Sequence, residues 1–212
     1  MPKVFIVENY TFQYTRMFQE KGWEVIDKLT EADLIQFTGG EDVSPSLYGQ
    51  YPHPRTSSSL QRDLREKIIF ERAKALFIPM AGICRGAQFL NVMCGGSLWQ
   101  HVEGHGQPHM AYDHIHKVEI KVTSTHHQMM IPPNNKNLYC TLLTANENKI
   151  KQKGFSLRCK NKEKDIISVF NKVDIEAIFY WDSQILCFQP HPEFCKQEQL
   201  STLYFEYLSW LI

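Results

Sequence analysis

Neither sign of charge prevails in this 212-residue chain: 23 lysines and arginines stand against 23 aspartates and glutamates. Without an excess there is no long-range field to gather nucleic acid or an anionic membrane, so partners have to be read from local groups. No apolar run approaches membrane-spanning length, and the run at residues 4–7 meets Glu8 too soon to act as a secretory core. The expectation is a cytoplasmic protein with no membrane association. Its six cysteines (84, 94, 140, 159, 187 and 195) form neither a C-x-x-C pair nor a regular framework, which suits free thiols in a reducing compartment. A phosphate-binding loop, a dinucleotide fingerprint, repeats and low-complexity tracts are all missing, so no cofactor is expected.

What the chain does contain is an alternation of short β-branched and aromatic runs with helical patterns, the order that builds a parallel sheet covered by helices. Its length suits one such domain over residues 1–212. Strands are expected at residues 3–7, 23–26 and 34–38 and in the apolar run at 77–81, with helices at 10–21, 61–76 and 88–93. In the 61–76 helix, Leu64, Ile68, Ile69 and Ala73 have the spacing of a core-facing stripe. Residues 44–59, with three prolines and three consecutive serines, form a long loop of the kind that serves as a lid. After Gly95-Gly96, strands at 116–122, 138–144, 166–170, 177–180 and 185–188 suggest added antiparallel hairpins. A last helix carries one apolar stripe of Leu200, Leu203, Tyr204, Tyr207, Leu208 and Leu211.

The segment Gly82-Ile83-Cys84-Arg85-Gly86 follows a strand and opens a helix. Small residues two positions to either side of Cys84 let the chain pass through the sharp bend that lifts a nucleophile to the top of a sheet. A thiol there also sits at a helix N-terminus, where free N–H groups favour the thiolate. A buried structural cysteine is the blander reading, and the flanking glycines argue against it. Sulfur needs a base and an orienting group from elsewhere in the chain. Near its end, Gln189-Pro190-His191-Pro192-Glu193 supplies both: prolines fix an extended path, and alternation puts the His191 and Glu193 side chains on one side. A Cys84-His191-Glu193 triad follows. Oxyanion donors are expected from the backbone N–H of Arg85 and from Thr38-Gly39-Gly40.

Taken with Thr38-Gly39-Gly40-Glu41-Asp42-Val43-Ser44-Pro45-Ser46-Leu47-Tyr48-Gly49, the Arg62-Asp63 pair and Ser124-Thr125-His126-His127-Gln128, these motifs resemble the class I glutamine amidotransferase-like superfamily, most of all its gamma-glutamyl-gamma-aminobutyrate hydrolase branch. The resemblance runs in order from Leu34 to Glu193. It implies a flavodoxin-like three-layer α/β/α sandwich with a mostly parallel central sheet, and hydrolysis of a γ-glutamyl amide through a thioester on Cys84. It further implies that Gly40 and Arg85 provide the oxyanion N–H groups, and that Gln88, Ser124, Thr125 and His126 face the glutamyl head. Pro190 and the histidine-rich 101–116 stretch depart from the pattern.

Two rivals remain: a glutaminase subunit that passes ammonia to a separate synthetase, and a silent binding or regulatory protein on the same fold. A cysteine variant of an α/β-hydrolase is disfavoured, because there the acid precedes the histidine. His101, His105, His109, His114 and His116 invite a metal reading, but the intervening glycines and Pro108 disfavour a helix that would present them together, so no metal is expected. The basic stretch from Lys149 to Lys164 reads as a solvated face and not as a nucleic-acid platform.

Overall fold

A computed structural model describes residues 1–102, 104–145, 157–159, 166–168, 174–194 and 198–212. In chain order its elements are β1 (Lys3–Val7), α1 (Phe12–Glu20), β2 (Glu24–Ile26), β3 (Leu34–Phe37), α2 (Leu60–Ala75), β4 (Met80–Ile83), α3 (Arg85–Met93), β5 (Ser97–Trp99), β6 (His109–Asp113), β7 (Val118–Val122), β8 (Met129–Ile131), β9 (Cys140–Ala145), β10 (Leu157–Cys159), β11 (Ile166–Ser168), β12 (Asp174–Tyr180), β13 (Ile185–Phe188) and α4 (Glu198–Leu208). The expected strand at 166–170 is described only as β11, and the basic stretch lies outside the described residues except for the backbone of Arg158 in β10.

Nine strands make one sheet in the order β2-β1-β3-β4-β13-β12-β9-β6-β7. The first five pair in parallel, in the flavodoxin-like order, and the remaining pairings are antiparallel. Following those pairings across the sheet, only β12 and β6 run against the rest, so the sheet is mostly parallel in strand direction. Every residue of β3, β4 and β13 is buried, as continuous apolar strands covered on both faces should be.

Each face carries its own core. On one, α1 and α4 pack Tyr14, Met17, Phe18, Leu203, Tyr204 and Tyr207 against Val4, Ile6, Leu34, Ala81, Ile83 and Phe188. On the other, α2 and α3 pack Phe70, Ala73, Ala87, Phe89 and Leu90 against Val7, Ile35, Phe37, Met80 and Cys187. Alternate residues of one strand feed opposite cores, which is the pleat period expressed as three layers. The α4 stripe is buried at all of Leu200, Leu203, Tyr204, Tyr207 and Leu208. No described helix is long and apolar enough to cross a membrane.

Helix α2 corrects the stripe read from its sequence. Leu64 and Ile68 are 50% and 68% exposed, whereas Arg62, Asp63, Glu66, Phe70 and Ala73 are buried. Apolar spacing was misleading because the inward face begins with charge. The Arg62 Nε donates to Glu66 Oε1 at 2.9 Å, while the Arg85 guanidinium at the start of α3 reaches both Glu66 and Asp63. Arg62 Nη2 donates to the Gly39 carbonyl at 3.1 Å, and Asp63 Oδ2 accepts from Ser44 N–H at 3.0 Å. Two guanidinium groups and two carboxylates therefore neutralise one another beneath the loop after β3. Arg85 also lies over the Phe89 ring, 5.2 Å from its centroid. Burial lowers the Arg85 pKa to about 10, an effect the Arg62 charge adds to and Asp63 opposes.

Removing one member of such a network strands its partners without solvent. Glu66→Gln is therefore expected to cost about 3–5 kcal/mol, the penalty for breaking a buried pair, against under 1 kcal/mol for Glu20→Gln in the exposed Arg16–Glu20 pair. Urea unfolding of the two variants measures the contrast, and equal losses would contradict it.

Candidate active site

The bend after β4 is strained at its apex. Cys84 has φ 51° and ψ −111°, a region that residues with a side chain rarely enter, and it is held there on both sides. Its N–H donates to the Phe188 carbonyl at 2.9 Å, and its carbonyl accepts from Gln88 N–H at 3.1 Å as α3 begins. The strand turns into the helix so tightly that a Cβ on Gly82 would lie 2.4 Å from the Gly86 carbonyl carbon. Only glycine permits that approach.

Because β13 lies parallel beside β4, with Phe188 opposite Ile83, the chain beyond β13 leaves the sheet next to Cys84. That adjacency brings His191 to the sulfur. The imidazole faces Cys84, and its Nδ1–H donates to Glu193 Oε1 at 2.6 Å. The backbone is anchored by His191 N–H donating to Thr123 Oγ1 at 2.6 Å, and the ring stacks on Phe194 at 4.8 Å. Burial alone would lower the His191 pKa, but the charges and hydrogen bonds of Cys84 and Glu193 raise it above the ordinary imidazole range. Glu193 is itself buried.

Tyr14, on α1, belongs to the same arrangement and was not marked by any motif. Its hydroxyl accepts from Gly39 N–H at 2.9 Å and lies against Glu193, and burial followed by the Glu193 charge suppresses its ionisation. With Gly39 N–H turned toward Tyr14, the next residue meets the cleft. Gly40 has φ 142°, and a Cβ there would stand 2.2 Å from Arg62 Nη1. The loop conformation and the buried arginine both require glycine at this position.

A cleft of about 220 Å3 opens over the sulfur, lined by Gly40, Glu41, Asp42, Cys84, Arg85, Gln88 and residues 125–128, with Ser57 at its edge. Gly40 and Arg85 thus share a wall with Cys84, and Arg85 begins a helix whose first N–H groups have no partners within the helix. Gln88 is buried, with its Nε2 donating to the Gln128 carbonyl at 3.0 Å and to Gln189 Oε1 at 3.1 Å. Thr125 is exposed along the cleft, whereas the Ser124 hydroxyl donates away from it, to the His105 carbonyl. His126 lines the cleft and directs Nδ1–H to the Gln128 carbonyl at 2.8 Å; burial drives its pKa down to about 3. Both polar atoms of the Gln128 carboxamide lack a hydrogen-bond partner among the described residues. At the rim, His127 Nε2 is 3.1 Å from Asp42 Oδ1, and that bond leads the influences that raise its pKa.

Comparison with known proteins bears on the family and the fold. The family model for Peptidase C26 matches residues 17–193. Protein PB2B2.05 of Schizosaccharomyces pombe, whose glutamine amidotransferase name is itself provisional, is 31% identical over 173 residues, covering 81% of this chain and 66% of that one. The glutamine amidotransferase-like protein YvdE of Lactococcus lactis is 36% identical over 132 residues, 56% of this chain and 55% of its own. Among the relatives found by sequence, the matched stretch spans between a quarter and two thirds of the relative's length. In fold, PurLQS of Thermotoga maritima superimposes with a TM-score of 0.61 at 15% identity, over 100% of this chain and 99% of the other. A glutamine amidotransferase from the same organism gives 0.59 at 14%, over 98% and 84%. With that family model covering residues 17–193, the chain belongs to the Peptidase C26 family of the class I glutamine amidotransferase-like superfamily.

Proposed function

We propose that this protein is a cysteine-dependent hydrolase of γ-glutamyl amides, acting on glutamine or on a γ-glutamyl-linked amine. One observation carries the reading: a cysteine forced to positive φ at a strand-to-helix bend, facing a buried histidine that a buried glutamate orients at 2.6 Å. A structural cysteine would have no reason to hold that strained backbone.

In this reading His191 takes the thiol proton while the Cys84 sulfur forms a bond to the γ-carbonyl carbon. The oxyanion that results is met by the N–H groups of Gly40 and Arg85. Collapse breaks the C–N bond, and His191 passes its proton to the departing amine. Water, deprotonated by the same imidazole, then attacks the thioester, and the carbon–sulfur bond breaks to return the thiol and release glutamate. Glu193 keeps the ring in the tautomer and orientation that both steps need. A cleft of about 220 Å3 suits an amino-acid-sized acyl group, with Glu41 available for an ammonium and the Gln128 carboxamide for a polar head.

Purified protein supplied with glutamine and a panel of γ-glutamyl amines should release glutamate, with a γ-glutamyl adduct on Cys84 visible by mass spectrometry. Cys84→Ala should lose the adduct and all measurable turnover, whereas Glu193→Gln should reduce kcat by on the order of 10²–10⁴-fold. Turnover appearing only with an added synthetase would favour the ammonia-supplying subunit. No adduct from any amide or from a glutamine-analogue electrophile would leave the silent binding protein.

The same triad makes a prediction about pH. Folding raises the His191 pKa, so its pairing stabilises the native state in full below about pH 6.5, the ordinary imidazole value, and the contribution disappears as pH climbs through the raised native value. The Tm advantage of wild type over His191→Gln should therefore shrink steadily from pH 6.5 upward. An advantage that grows over this range in thermal melts would reverse the assigned sign.

A further inference from the structure

Behind the cleft wall, three buried groups with ligand-type atoms face one another. His105, from the loop before β6, His126, from the loop before β8, and Glu176, on β12, each offer one such atom, and all of these lie within 4.8 Å of one another. Their exposures are 1%, 6% and 0%. His105 Nδ1 is 3.4 Å from Glu176 Oε1, and His126 Nε2 is 3.8 Å from Glu176 Oε2. His105 Nδ1, His126 Nε2 and Glu176 Oε2 have no hydrogen-bond partner among the described residues.

The far side of each ring is committed. His105 Nε2 is 2.9 Å from Asp174 Oδ2, and His126 Nδ1 is 2.8 Å from the Gln128 carbonyl. A backbone carbonyl can only accept, and so can an ionised carboxylate, so those two ring nitrogens carry the protons. With the ring neutral, the opposite nitrogen of each turns a lone pair inward; a proton on His105 Nδ1 would instead be shared with Glu176 Oε1, 3.4 Å away. His109 Nε2, on β6, donates to Glu176 Oε1 at 3.1 Å from the other side. Two imidazole nitrogens and a carboxylate thus meet out of water, an arrangement that calls for a cation or a shared proton.

We propose that His105, His126 and Glu176 bind one divalent transition-metal ion of the zinc class, which fastens the substrate-facing loop at residues 123–128 to β12. Two imidazoles and one carboxylate suit zinc and its neighbours, whereas calcium and magnesium prefer all-oxygen sets. Ligands at about 2.0–2.1 Å from a tetrahedral ion stand about 3.3–3.4 Å apart, so atoms that now lie within 4.8 Å of one another need to close by up to about 1.5 Å. Asp174 and the Gln128 carbonyl occupy the positions from which metal-bound imidazoles are oriented. The ion does not act on the amide in this arrangement. It fixes the wall that His126 presents to the cleft.

The test uses tag-free, full-length Cys84→Ala protein, so that the catalytic sulfur cannot take the ion. After removal of metal by a chelator, zinc chloride is titrated against a chromophoric competitor and the bound metal is counted by mass spectrometry. One zinc per chain is expected. With zinc about 100-fold above its Kd, Tm should rise by about 5–10 °C, and amide exchange across residues 123–128 should slow. His126→Ala and Glu176→Gln in the same background should each lower zinc affinity at least tenfold. Zinc binding that both substitutions leave unchanged, or fewer than 0.1 zinc per chain, would overturn the proposal; the second result would assign the cluster to a shared proton. If both variants fail to fold, cobalt(II) in the Cys84→Ala protein decides. Visible bands of a tetrahedral nitrogen- and oxygen-ligated ion support the site, and their absence removes it.

Discussion

The buried contact between Arg85 and the two carboxylates of α2 is the constraint on which the site rests. Arg85 follows Cys84 directly, so whatever fixes its side chain fixes the first turn of α3. Glu66 joins it to Arg62, which in turn holds the Gly39 carbonyl. The β3 loop and the elbow are separate stretches of chain, and this network sets the spacing between them. Burying four charges is expensive unless each is paired and hydrogen-bonded. That cost is tolerable here because it secures the relative position of two backbone segments, a task apolar packing performs loosely.

A second constraint comes from the sheet. Parallel pairing of β4 with β13 sends both strands out at the same edge, and the Cys84 N–H to Phe188 carbonyl bond locks their register. His191 lies three residues beyond that bond, in a path stiffened by Pro190 and Pro192 and tied to Thr123. Sulfur and imidazole therefore meet through short chain segments and not through long flexible loops. Tyr14 brings a third element, α1, to bear on both Gly39 and Glu193.

Much of this was legible in the residues because the signals were local. A small-x-Cys-x-small bend, a His-x-Glu pair between prolines and a Gly-Gly pair after a strand each declare a backbone need. The α4 stripe was equally plain, since its inward face is wholly apolar. Helix α2 was misread because hydrophobic spacing assumes that charge faces water, whereas Arg62, Asp63 and Glu66 face inward and leave Leu64 and Ile68 in solvent. Tyr14 carried no signal at all, because its partners come from β3 and from the far end of the chain. The histidines from 101 to 116 were weighed by linear spacing, which says nothing of Glu176 or of His126. Only the antiparallel half of the sheet, where β12 lies between β13 and β9, gathers them.

The two walls of the cleft are held differently, and that difference bears on what each can vary. One wall, Gly40 with Arg85, is set by buried ion pairs and by a glycine that admits no side chain, so it has little freedom. The other wall, residues 125–128, is a loop tied to the body by separate hydrogen bonds: Gln88 to the Gln128 carbonyl, Val102 N–H to the His127 carbonyl at 2.7 Å, and His127 to Asp42. Behind it, β12 breaks register between Ile175 and Ala177, with Glu176 at the irregularity, its carbonyl accepting from Gln189 N–H at 2.7 Å and its carboxylate turned toward the loop. That break lets one residue brace the loop in front while its backbone steadies the strand end that leads to His191. The wall at residues 125–128 is therefore backed by the antiparallel half of the sheet, and the wall at Gly40 and Arg85 is set from the parallel half.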